Sequence, residues 1–150
     1  MRRPAGDDGN AMLEFTYLAV LLMVPLIYVL TTTFQVQRAA FGVTEAARQA
    51  GRAYATADDD ASGRARADAA ARLAMRDQGV ELAEPVAVDA GQGLRPGATV
   101  RVEVLHRVEL PLVGGLFRGV VPPNIPVRAS HVAVVDCFRA SSLEPTDACS

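Results

Sequence analysis

The sequence predicts an α+β fold: a long N-terminal transmembrane helix continuing into a small exterior domain with a second helix and a short antiparallel sheet of about three strands. Three observations predict it. From Phe15 to Gln37 no residue is charged, a run of 23 positions. From Val36 to Ala57 apolar residues recur at helical spacing. From Val86 onward the pattern changes to alternation with a period of two. The organisation expected is residues 1–9 as a short polar lead, 10–37 as the transmembrane helix and 38–150 as the exterior α+β domain.

The apolar run comes first. Crossing a hydrocarbon core of about 30 Å takes ~20 residues, so 23 suffice. A cleavable secretory signal has a shorter apolar region, about 7–15 residues, with a small-residue cleavage site after it. Here "TTTFQVQRAA" follows and reads as continuing helix, so a retained anchor is expected rather than a removed signal. Arg2 and Arg3 precede the run, whereas Arg38, Arg48 and Arg52 follow it, so basic residues alone do not orient it. Its N-terminal place and the large polar region behind it predict a cytoplasmic N-terminus and an exterior C-terminal domain. Pro25 removes a backbone donor and predicts a bend. Thr31, Thr32 and Thr33 are able to bond back to the preceding turn.

Val36, Ala40, Val43, Ala47, Ala50, Tyr54 and Ala57 then form a stripe spaced alternately by four and three. One helix from about Asn10 to Thr56 is predicted, with its Ala-rich stripe packed closely against another part of the same chain. An Ala seam buries too little area to favour an intermolecular coiled coil. "DDDASG" (58–63) interrupts the pattern, and its acids suit the start of a second helix over "RARADAAARLAMRDQG" (64–79). Gly79 fits the residue after its last turn, with Val80 making a hydrophobic contact. Arg64/Asp68 and Asp68/Arg72 have the spacing of surface ion pairs.

Val86, Val88 and Ala90 predict a short strand, and "GQGLRPG" (91–97) a turn. Val100, Val102, Val104, Val108, Leu110 and Leu112 share one parity, opposite Arg101, Glu103, Arg107 and Glu109. A final strand is expected from about Val127 to Phe138. A hairpin pairing Leu110 with Val127 would set His106 opposite His131. Two imidazoles lack the third and fourth ligands of a zinc site, so these read as core-edge histidines. The connection between the strands, "VGGLFRGVVPPNIP" (113–126), is unusually apolar for a hairpin loop. Leu116, Phe117, Val120 and Val121 either fold back over the sheet or form a contact surface for a partner or a membrane. Cys137 and Cys149, the only cysteines, flank eleven residues that include Pro145. In an oxidising compartment they would form one bridge tying the tail to the last strand, and a free pair is the alternative.

Composition excludes several classes. A net charge of −2 supplies no cationic field for nucleic acid, and the absence of Trp argues against base stacking. The sequence has no G-x-S-x-G, H-E-x-x-H, Walker or G-x-G-x-x-G motif. No catalytic, cofactor-binding or metal-ligating residue is expected, and no small-molecule substrate.

One residue breaks the apolar pattern. Glu14 lies about a turn inside the greasy helix, behind Ala11, Met12 and Leu13. An acid at membrane depth costs a few kcal/mol unless it is solvated at headgroup level or partnered. "GNAMLEF" resembles the cleavage region of type IV prepilin-like proteins, in which a polar leader ends in Gly and Glu is the fifth mature residue. The wider segment "GNAMLEFTYLAVLLMVPLIYVL", followed by "EAARQAGRAYA", is similar to TadE-like proteins of the tight-adherence (Flp) pilus system. The strands "ATVRVEVLHRVELPL" and "PVRASHVAVVDCFR" share that family's style. The resemblance implies a leader of residues 1–9, cleavage between Gly9 and Asn10, and a helix-packing role for Glu14. It also implies a minor pilin or pseudopilin that meets other pilin subunits, a prepilin peptidase and a pilus assembly platform. A free ammonium on Asn10 would give a neighbour's Glu14 a counter-charge, and Gly9 would let the backbone enter a protease cleft without a side-chain clash. The alternative is an unprocessed single-pass membrane adaptor whose exterior domain binds a protein.

Overall fold

The computed structural model describes residues 8–110 and 124–137. The fold is α+β: α1 (Asp8–Ala55), α2 (Asp60–Asp77), β1 (Ala87–Asp89), β2 (Thr99–Glu109) and β3 (Asn124–Val134). The chain divides into two units, Met1–Gln35 and Val36–Ser150.

The second unit holds the core. Ala39, Val43, Ala46, Ala47, Ala50 and Tyr54 of α1 are buried. The alternating stripe anticipated most of them; Ala39 and Ala46 widen it, because α1 is covered from two sides. One cover is the sheet. A Cβ placed on Gly51 would lie 3.1 Å from His131 Cδ2 and 3.3 Å from Ala133 Cβ. The other is α2, whose buried face is Gly63, Ala67, Ala71, Ala74 and Met75. A Cβ on Gly63 would lie 2.9 Å from Tyr54 Cδ2, and one on Gly42 would lie 3.0 Å from Met75 Sδ. The start of α2 thus meets the end of α1, and its last turns meet Gly42, so the two helices are antiparallel. Small residues on both make the close approach possible. Because Ala contributes little area, each contact depends on short distance rather than bulk.

The turn between the helices is held by side chains. Asp59 caps α2: its Oδ1 accepts from the Ser62 N–H at 2.9 Å, and Ser62 Oγ accepts from the Asp59 N–H at 3.4 Å. The Ser62 N–H beside it holds the Asp59 carboxyl below its usual pKa. The Tyr54 hydroxyl donates to Asp60 Oδ1. At its other end α2 stops on Gly79, at φ 68. The Val80 N–H donates to the Met75 carbonyl at 3.0 Å and the Gly79 N–H to that of Arg76 at 2.8 Å, the two bonds of a Schellman stop.

The ion pairs of α2 differ in one respect from the sequence expectation. Arg72 Nε does meet Asp68 Oδ2, at 2.7 Å, but Arg64 Nε pairs with Asp60 Oδ2, at 2.9 Å, and not with Asp68. Both pairs that form place the acid one turn N-terminal to the base, the favourable orientation along a helix dipole; Arg64/Asp68 would reverse it. These side chains also fasten the chain beyond α2. Arg72 Nη1 donates to the Leu82 carbonyl at 2.7 Å, Asp68 Oδ1 accepts from the Val86 N–H at 3.3 Å, and Arg64 Nη1 donates to the Val88 carbonyl at 3.0 Å.

The sheet has the order β1-β2-β3, antiparallel throughout. Val100, Val102, Val104 and Val108 of β2 face inward and are buried, as their parity predicted. The β2–β3 register differs from the Leu110–Val127 pairing: Val127 faces His106, and His131 faces Val102. The shift is four residues (110 against 106), an even number, so every side chain keeps its predicted face. β3 also begins earlier than expected, at Asn124, and includes Pro126. Proline is admissible there because β3 is an edge strand, where a missing N–H need not interrupt a ladder. Beyond the strands, Gly97, at φ 76, donates its N–H to the Val135 carbonyl at 3.0 Å, and Val135 returns its own N–H to Ala98 at 2.9 Å.

The sense of each strand follows from the fastenings. Leu82, Val86 and Val88 meet Arg72, Asp68 and Arg64 in turn, so this stretch runs against α2, toward the Tyr54 end of the unit. β2 reverses that course. Glu109 and Asn124 therefore lie at the Gly42 end.

Candidate functional site

The apolar portion of α1 is the candidate site. Its most apolar 18 residues have a mean hydropathy of 2.1, and none of them is buried by the rest of the chain. The helix is long and apolar enough to cross a membrane. Large side chains along it, such as Met12 (76 % exposed) and Leu21 (70 % exposed), present hydrocarbon outward. Pro25 lies inside it.

In lipid, a hydroxyl or amide needs a partner from the protein itself. Three threonines find one in their own helix: Thr16 Oγ1 donates to Met12 O at 2.8 Å, Thr31 to Ile27 O at 3.0 Å and Thr33 to Val29 O at 2.8 Å. Thr32 does not. Its hydroxyl and that of Tyr28, one turn earlier, are shielded from solvent and make no hydrogen bond among the described residues. Of the three consecutive threonines able to bond back, Thr31 and Thr33 do so.

Glu14 is exposed and makes no ion pair or side-chain hydrogen bond among the described residues. A groove beside it is lined by Leu13, Tyr17, Leu18 and Leu21. The groove is thus walled mainly by hydrocarbon, with Tyr17 in the same lining. Gly9 and Asn10 belong to the first turn of α1. Leu116, Phe117, Val120, Val121 and Cys149 lie outside the described residues. Cys137 is described and is not a free thiol.

The histidines are not brought together as a metal site. Each faces a valine across the ladder, and among the described residues no group of three or more His, Cys, Asp or Glu could hold a metal ion. Partial burial lowers the pKa of His106 and favours the neutral ring. No family model matches the chain, and neither a curated protein nor a solved structure does.

Proposed function

We propose that this chain is a membrane-anchored minor pilin or pseudopilin taking part in assembly of a tight-adherence pilus. The observation that carries the reading is Glu14, an unpartnered carboxylate on an apolar helix, five residues after Gly9. Leader removal at Gly9 exposes the Asn10 ammonium. Two charges that are each costly in an apolar medium then form a pair between neighbouring subunits, stabilising when the geometry is close. The α+β unit behind the anchor supports the reading as a pilin-like head. In this account the N-terminus starts in the cytoplasm and the second unit lies outside. The partners are lipid, other pilin subunits, the prepilin peptidase and the assembly platform, and the chain has no catalytic role.

Mass spectrometry of the protein extracted from membranes of cells containing the peptidase tests this. The expected mature chain begins at Asn10. An intact Met1–Gly9 segment would overturn the reading. One observation favours a second one, the unprocessed single-pass adaptor. The Gly9–Asn10 bond lies within the first helical turn, and a protease cleft takes extended backbone. The same spectrum separates the two.

A further inference from the structure

The outer face of the sheet carries a row of three residues, one from each strand. Asp89 of β1 is directly opposite Arg101 of β2, which is directly opposite Val132 of β3. Register partners share a face and have Cβ atoms about 5 Å apart, so an ion pair is within reach. None forms. Asp89 and Arg101 make no ion pair or side-chain hydrogen bond among the described residues, although two other arginines of the same sheet do. Arg107 pairs with Glu84 at 2.8 Å, and Arg128 with Glu103 at 3.4 Å. Asp89 and Arg101 instead form walls of an open groove of ≈ 460 Å³, together with Gln92, Thr99 and Val132. Beside the charges, Val132 is 44 % and Val134 60 % exposed. Exposed valines beside an unsatisfied acid and an unsatisfied base make a patch of mixed character.

We infer that this face is an isologous contact between two copies of the chain, with Asp89 of each copy paired to Arg101 of the other. The charge pattern selects the occupant. A patch carrying one acid and one base on adjacent strands is complementary to itself under a two-fold rotation. Consider an axis parallel to the strands, above the face and midway between β1 and β2. Neighbouring strands are ~4.8 Å apart, so this rotation places β1 of one copy over β2 of the other at the same height. Asp89 then stands over Arg101 twice, once in each sense. Face-packed sheets are ~10 Å apart, a gap that an Asp and an Arg side chain reaching toward each other bridge. The same rotation leaves the strands of both copies running in one direction. The contact needs neither leader removal nor pilus assembly, so it stands apart from the functional reading above.

Charge exchange tests it. The full-length chain in detergent micelles is followed by sedimentation velocity over a concentration series, as parent, as Asp89→Arg, as Arg101→Asp and as a mixture of the two variants. Each variant alone sets like charges face to face and should weaken self-association on the order of tenfold or more. The mixture restores two attractive pairs and should associate as the parent does. Val132→Asp sets a carboxylate directly opposite Arg101 in the same sheet, where it competes with the partner copy's Asp89 and should weaken the parent contact as well. Where circular dichroism shows that a reversal variant is not folded, Asp89→Asn and Arg101→Gln replace it, and each should weaken association. A parent that stays monomeric throughout overturns the inference. So do folded variants that associate like the parent, or a mixture that stays as dissociated as its components.

Discussion

Gly63→Ala should destabilise the folded second unit, against the ordinary preference of a helix. Alanine favours a helix interior by up to ~1 kcal/mol over glycine. Here the new methyl would sit 2.9 Å from Tyr54 Cδ2, 3.0 Å from Tyr54 Cε2 and 3.4 Å from Ala57 Cβ. Carbon atoms prefer about 3.5–4.0 Å. The ring cannot yield easily, since Tyr54 is fully buried and its hydroxyl is held by Asp60. Overpacking of this kind costs typically 1–3 kcal/mol, so after the helix gain the net loss is up to about 2 kcal/mol. For a unit of this size that lowers the melting temperature by several degrees. Thermal denaturation in detergent, followed by near-ultraviolet circular dichroism, reads the shift. A second background isolates the cause. Tyr54→Leu removes the ring, and in that background Gly63→Ala should be neutral or stabilising. If Gly63→Ala raises the melting temperature of the parent, or costs the same in both backgrounds, ring contact is not the reason for glycine at this position.

Tyr54 makes a second prediction. Burial, then its hydrogen bond to Asp60, raise its pKa from 10.0 to about 12. The folded state therefore holds this proton more tightly than the unfolded chain does. Its contribution is complete below pH 10.0, declines as the pH rises, and is gone above about 12. Urea titrations of the parent in this range should show stability falling with pH, and Tyr54→Phe should flatten that slope; equal slopes would refute the assignment. Asp59→Ala removes the cap of α2 and should cost about 1 kcal/mol, whereas Asp59→Asn should cost less, both read from urea midpoints. Val102→Ala, at a fully buried inward position of β2, should cost about 2 kcal/mol from lost transfer energy and the residual cavity. A loss below 0.5 kcal/mol, a bound roughly a quarter of that, would show that α1 and the sheet close over the site.

Much of this fold was legible because each element has one wet and one dry side. The parity of β2 named Val100, Val102, Val104 and Val108 as inward, and they are buried. The Gly79–Val80 stop and the acid-rich start of α2 were visible from local chemistry. What stayed hidden depends on distant partners. Strand register depends on where β3 begins, and Pro126 made that strand look shorter than it is. Arg64 had two acids at equal sequence distance, and the geometry of the Tyr54–Asp60 turn is involved in which one it meets. For the candidate site, Glu14 and the apolar run stood out by composition. The unpaired hydroxyls of Tyr28 and Thr32 did not, because a threonine that bonds back and one that does not are the same letter.

The inventory of fully buried residues begins at Ala39. Among the described residues, every buried hydrophobic side chain lies at or beyond that position. A shortened chain starting near Val36 would keep every one of those side chains, both helix-to-helix close approaches and the whole ladder. The folding of the second unit is therefore a property that such a shortened chain should report by itself, read by circular dichroism and urea titration.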